Sequence, residues 1–117
     1  MAGSVLVVDD DPRFLSLAVR MLAEAGVHVS GTAATVAEAL AAARSLKPEA
    51  VLVDVELPDG NGVDLGRELV ALPWAPRVVL TSTDRDAVPG PRGDGEPPFV
   101  PKEDLPTTPL RSLLLPD

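Results

Sequence analysis

Cysteine is absent from this 117-residue chain. That excludes a disulfide scaffold, a thiolate zinc site and cysteine nucleophilic catalysis. Histidine occurs once, at His28, which leaves a histidine metal site or proton relay without a second member. No apolar stretch approaches the roughly 18 residues that a membrane span needs. The start, Met1-Ala2-Gly3-Ser4, lacks the basic and apolar regions of a signal peptide. A cytoplasmic location with no membrane partner is therefore expected. Cations are outnumbered, with 10 Lys and Arg against 18 Asp and Glu and a formal net charge of −8. That balance speaks against direct binding to nucleic acid or to an anionic lipid surface.

Hydrophobic residues make up 45% of the chain, too many for a disordered segment. The length suits one domain over residues 1–117 with a core of its own. Two apolar runs end in carboxylate: Val5-Leu6-Val7-Val8 leads into Asp9, Asp10 and Asp11, and Val51-Leu52-Val53 leads into Asp54. Continuous runs of this kind read as strands covered on both faces, as in a parallel α/β sheet.

Strand and helix patterns alternate along the chain. Asp11-Pro12 has the form of a helix N-cap followed by Pro at the first helical position. Phe14, Leu17, Ala18, Met21, Leu22 and Ala25 follow helical spacing up to Gly26. Val27-His28-Val29 reads as a strand. Thr35 and Glu38 have capping-box spacing for a second helix ended by Pro48. A third strand spans Val51 to Val55, and Leu57-Pro58-Asp59-Gly60-Asn61-Gly62 is turn chemistry. A third helix is expected from Val63 to Leu72, a fourth strand at Arg77-Val78-Val79-Leu80, and one helical turn over Thr83 to Val88.

From Pro89 to Pro98 seven of ten residues are Pro or Gly. A helix interior does not tolerate them, at ~3 kcal/mol for Pro and ~1 kcal/mol for Gly relative to Ala. A loop is expected there, in place of a fourth helix or a shortened one. Phe99-Val100 is a short fifth strand, and Thr108-Pro109 opens a last helix carrying Leu110, Leu113 and Leu114. The expectation is a three-layer α/β sandwich with right-handed crossovers and a five-stranded parallel sheet. With flavodoxin-like order 2-1-3-4-5, Asp9, Asp10 and Asp54 meet at the crevice where ligands bind.

Like charges held that close repel unless a cation sits among them. Hard oxygen ligands suit Mg²⁺, which takes one or two carboxylates, waters and a phosphate. Thr81 and Ser82 end the fourth strand and Lys102 follows the fifth, so a hydroxyl donor and a cation reach the same edge. Asp54 has the chemistry of a nucleophile that forms an aspartyl phosphate. Asp9 and Asp10 are candidate Mg²⁺ ligands, with the backbone carbonyl of Glu56 as a further one. Asp11 reads as a helix cap, and Trp74 as a residue packed locally after the third helix.

Four pieces in order resemble the receiver domain of two-component response regulators. They are Val7-Val8-Asp9-Asp10-Asp11-Pro12, Val53-Asp54-Val55-Glu56-Leu57-Pro58-Asp59-Gly60-Asn61-Gly62, Leu80-Thr81-Ser82 and Phe99-Val100-Pro101-Lys102. The resemblance covers nearly the whole chain. It implies a regulatory phosphoacceptor domain, not an enzyme in its own right, in which Asp54 is phosphorylated by the phosphohistidine of a sensor histidine kinase or phosphotransfer protein. It also implies that Thr81 and Phe99 form a switch pair that alters the binding of an output partner. Glu103 stands where the family commonly has Pro, and Ser82 where it commonly has Ala. The Pro/Gly tract occupies the region of the fourth helix, part of the family's usual dimer face, so a monomer or weak dimer is expected.

Three competing readings follow. A degenerate receiver would act unphosphorylated as a protein-interaction module. A haloacid-dehalogenase-type phosphatase wants a second Asp two residues after the nucleophile, where Glu56 stands. A flavodoxin needs Ser, Thr and Gly in the phosphate loop after the first strand, where Asp9-Asp10-Asp11 would repel a bare phosphate.

Overall fold

In a computed structural model of the chain, residues 4–88, 93 and 96–116 are described. The apolar run Ser4–Val8 forms β1, and its carboxylate end leads into α1, Pro12–Glu24. Asp11 caps that helix by accepting from the Arg13 amide at 3.0 Å, and Gly26 leaves it at φ 79°, a conformation open to Gly. Next come β2 (His28–Ala33) and α2 (Val36–Leu46). Thr35 Oγ1 accepts from the Glu38 amide at 3.0 Å, and the Glu38 carboxylate accepts in return from the Ala34 amide at 2.9 Å. The box thus closes one residue before the cap itself.

Ala50–Asp54 is β3, followed by a hairpin of β4 (Glu56–Leu57) and β5 (Gly60–Asn61). α3 spans Gly62–Val70, β6 Arg77–Ser82, β7 Phe99–Pro101 and α4 Leu110–Leu114. A 3₁₀ segment, Lys102–Thr107, joins β7 to α4. The strand order is β2-β1-β3-β6-β7, every neighbouring pair being parallel. With the hairpin set aside, this is the expected 2-1-3-4-5.

The sheet is buried by alternation. Leu6, Val8, Val51, Val53, Val78 and Leu80 face α2 and α3, meeting Ala39, Ala43, Leu65 and Leu69. Val5, Val7, Leu52 and Val79 face the other way, onto Phe14, Ala18 and Leu22 of α1 and Leu110 and Leu114 of α4. Each strand serves both layers, so neither face reads as polar. Burial of these aliphatic side chains is the main source of stability, at about 1.5–3 kcal/mol for each side chain taken fully from water.

Several boundaries differ from the sequence reading. β2 is twice the expected length, because its edge position tolerates Ser30 and Thr32, and Leu46 covers Gly31, whose missing Cβ would lie 2.7 Å from Leu46 Cδ1. α3 begins one residue early, with Asn61 accepting from the Val63 amide at 2.6 Å. Thr83–Val88 holds a hydrogen-bonded turn, Ala87 N to Asp84 O at 3.0 Å, in place of the expected helical turn. The 3₁₀ segment was not expected. Of the Pro89–Pro98 tract only Gly93 and Glu96–Pro98 are described, so the expected loop falls largely outside the described residues.

Candidate functional site

The site lies at the carboxyl ends of β1, β3, β6 and β7, on either side of the point where strand order reverses. Register sets it. Asp54 pairs with Thr81 across β3 and β6, one step beyond Val53 with Leu80, and Val53 pairs with Val8, the residue before Asp9. The same parallel ladder that buries the valines therefore brings Asp9, Asp54 and Thr81 to one level.

Asp9 is 0% exposed and Asp54 6% exposed. Their carboxylate oxygens and that of exposed Asp10 lie within 4.8 Å of one another. Asp9 Oδ1 is fixed by the Asp11 amide at 2.8 Å, and Asp54 Oδ1 accepts from the Glu56 amide at 3.3 Å. Lys102 Nζ approaches Asp9 Oδ2 at 2.7 Å and Asp54 Oδ2 at 3.9 Å. Burial pushes the Asp54 carboxyl up to about 6, and the charge of Asp9 adds to the rise, against the lowering pull of Lys102. One ammonium thus faces two carboxylates, with the third, Asp10, clustered beside them, a set that carries excess negative charge.

Thr81 Oγ1 is buried and has no hydrogen-bond partner among the described residues. A buried hydroxyl left unpaired costs stability, so this one is suited to an oxygen that the protein itself does not supply. Ser82, also fully buried, is engaged: it accepts from the Asp84 amide at 3.1 Å and lies 3.4 Å from Glu56 Oε1. Phe99 is half-buried and packs on the α2–α3 side, where its register partner is Leu80. Trp74 lies at the opposite end of the strands, where its indole N–H donates to the Pro48 carbonyl at 3.0 Å.

Asp9, Asp10, Asp54, Thr81 and Lys102 thus converge, and Glu56 stands beside them with an exposed side chain. Sequence reasoning missed three participants. Phe14 was read only as part of a helical pattern, but its ring centroid is 4.2 Å from Lys102 Nζ. Asp59 was read as turn chemistry alone, but it caps α2 across the chain. Arg85, in the turn after β6, pairs with Glu103 and Asp104 directly behind Lys102. Only Asp59 had a signal, its place in a quoted motif; the other two depend on where the segments after β6 and β7 run, which spacing does not encode.

A doubly wound parallel sheet with acids ending two strands, a hydroxyl ending a third and a lysine after a fourth defines a switch-point α/β domain with an anion- and cation-handling edge. The sequence profile described as "Response regulator receiver domain" matches residues 5–89. The chain belongs to that family, whose domain is regulatory. Protein-glutamate methylesterase/protein-glutamine glutaminase 3 of Anaeromyxobacter dehalogenans (strain 2CP-C) is 35% identical over 112 residues, 82% of this chain and 33% of that protein. The DNA-binding response regulator MtrA of Mycolicibacterium smegmatis is 38% identical over 109 residues, 88% of this chain and 47% of that protein. The crystal structure of the response regulator PhyR from Brucella abortus superposes with a TM-score of 0.76 at 27% identity, over 98% of this chain and 48% of that one. The chain spans a third to about half the length of these relatives. Among the described residues, no helix is long and apolar enough to cross a membrane.

Proposed function

We propose that this domain is a phosphoaccepting switch of a two-component system, in which Asp54 takes a phosphoryl group from the phosphohistidine of a sensor kinase or phosphotransfer protein. The observation that carries the reading is Thr81 Oγ1, a buried hydroxyl at the register position of Asp54 without a partner among the described residues. Asp54 Oδ2 is the oxygen free of a backbone amide, since Oδ1 accepts from Glu56. Its attack on phosphorus breaks the P–N bond, and the electron pair of that bond returns to the imidazole. Lys102, 3.9 Å from that oxygen, is placed to meet the charge on the transferred group, and Thr81 to donate to one of its oxygens.

The donor set fits Mg²⁺: three carboxylates whose oxygens lie within 4.8 Å and whose charge exceeds that of the one lysine among them. Asp9, Asp10, Asp54 and the carbonyl of Glu56 would hold the ion, which when bound neutralises the crowded acids and the incoming phosphoryl oxygens. Thr81 and Phe99 then serve as the switch pair. A degenerate receiver, acting unphosphorylated, would not need a lysine held between two buried acids, and no observation favours it. A histidine kinase or phosphotransfer protein as donor, an output partner bound differently in the two states, a cytoplasmic location and a monomeric or weakly dimeric state belong to the same proposal.

Incubation with Mg²⁺ and acetyl phosphate tests it by intact mass. The expected result is a gain of one phosphoryl group that is lost in Asp54→Ala and in chelator. Equal behaviour of wild type and variant would refute the reading. Mass is the right measurement because Trp74, at the far end of the sheet, is badly placed to report the site by fluorescence.

A further inference from the structure

The position of Lys102 has a consequence for the cation. Asp9 Oδ1 already accepts from the Asp11 amide, whereas buried Oδ2 accepts no hydrogen bond among the described residues, and Lys102 Nζ sits 2.7 Å from it as an ion pair. The ammonium is held there from a second side. Phe14, in the first turn of α1 and 8% exposed, presents its ring with the centroid 4.2 Å from Nζ. The lysine side chain is 14% exposed, so this cation–π contact is largely out of water, where such contacts are strongest. A dication placed among Asp9, Asp10 and Asp54 would share Oδ2 with an ammonium, and the two positive charges repel.

We infer that Lys102 and the divalent cation compete for Asp9 Oδ2, and that Phe14 is a positioning residue that holds Lys102 in its seat while the cation is absent. Entry of the cation then frees Nζ toward Asp54 Oδ2, its other carboxylate neighbour, at 3.9 Å. Loading of the metal and delivery of the lysine to the acceptor become one event. Phe14 touches neither the acceptor nor the phosphoryl group; it acts through Lys102. The inference rests on the phosphoacceptor reading above for the identity of the cation.

Calorimetric titration of the whole domain with Mg²⁺ tests it. Phe14→Leu removes the π face and keeps an apolar side chain, and it binds Mg²⁺ about two- to fivefold more tightly than wild type. Phe14→Tyr keeps the ring and restores wild-type affinity. Lys102→Met binds tighter still, by about tenfold or more, because Asp9 has lost its resident cation. Adding Phe14→Leu to Lys102→Met changes nothing further, since the contact it removes is already gone. Thermal melts separate the seat from ordinary packing. A lost seat lowers the melting temperature more in chelator than in Mg²⁺, whereas a lost packing contact lowers it equally in both.

Unchanged or weaker Mg²⁺ binding by Phe14→Leu overturns the inference, as does equal destabilisation in the two buffers. Phosphoryl gain by wild type from acetyl phosphate, seen alongside an unchanged Phe14→Leu affinity, overturns the inference and leaves the phosphoacceptor reading standing. A wild type that binds no Mg²⁺ overturns the inference together with the metal arm of that reading.

Discussion

Gly62 is packed so closely on Asp54 that a Cβ built on it would lie 2.1 Å from the Asp54 carbonyl oxygen. Its amide donates to Val55 O at 2.7 Å, so the start of α3 is stitched to the end of β3 at the acidic edge. Backbone cannot yield as a flexible side chain can. Gly62→Ala is therefore expected to destabilise the fold by about 1–3 kcal/mol, as overpacking does. It should also displace the Asp54 backbone and slow phosphoryl uptake. Urea unfolding together with the rate of mass gain checks both effects.

Asp59 ties the hairpin after Asp54 to a helix on the neighbouring side of the sheet. Its carboxylate accepts from the amides of Val36 at 2.7 Å and Ala37 at 3.2 Å, the first turn of α2. The Val36 amide bond holds the Asp59 carboxyl below its ordinary value of 3.8, and the Ala37 amide adds to it against partial desolvation. A lowered folded value means stability that is present above the unfolded value and lost as pH falls through the folded one. Asp59→Ala should lower the melting temperature at neutral pH and lose that difference in acid. It should also speed amide exchange at Val36 and Ala37; unchanged exchange there would refute the coupling.

Thr81 gives an unusual expectation. An ordinary buried hydroxyl costs stability when removed, because its partners are left unpaired. Thr81 Oγ1 has no such partner among the described residues. Thr81→Val, which keeps the shape, is thus expected to leave stability unchanged or to raise it by up to about 1 kcal/mol. The phosphorylated form should suffer instead, with smaller amide shift changes over Thr83–Val88 on addition of acetyl phosphate. Denaturant midpoints and amide spectra of both forms are the measurements.

The layout of sheet and site was legible in the sequence because one signal served both. Val5–Val8 and Val51–Val53 are apolar without alternation, which happens when helices cover both faces, and a parallel sheet puts its ligands at the ends such runs reach. That logic placed Asp9, Asp10 and Asp54 together, and Thr81 and Lys102 beside them. It did not extend to β2, where Ser30, Gly31 and Thr32 form an edge strand that needs little apolar pattern. Nor did it reach Lys102–Thr107, where Glu103 replaces an expected Pro and Arg85 answers it from the turn after β6. Contacts between elements distant in sequence, such as those of Arg85, Asp59 and Phe14, depend on where strands deliver their ends, and no local period records that.

Asp54 itself should be a source of instability in the absence of a cation. Its carboxyl is raised from 3.8 to about 6, first by burial and then by Asp9. A folded value above the unfolded one means that the folded state binds the proton more tightly, so stability is highest in acid and declines as pH rises from about 4 to about 6. Two units correspond to at most about 3 kcal/mol, a cost fully present at neutral pH. Asp54→Asn removes the charge with little change of shape, so in chelator it should be more stable than wild type above pH about 6 and equal to it below about 4. Mg²⁺ should close the gap from the other side, because a ligand that binds only the folded site stabilises wild type by about 1.4 kcal/mol at ten times its Kd. For a domain of this size that is a rise in melting temperature of about 5 °C, absent in the variant. Melts of the two proteins across pH, with chelator and with millimolar Mg²⁺, decide it. A wild type as stable as Asp54→Asn at neutral pH in chelator would mean that Lys102, held between Asp9 and Asp54, already balances the edge by itself.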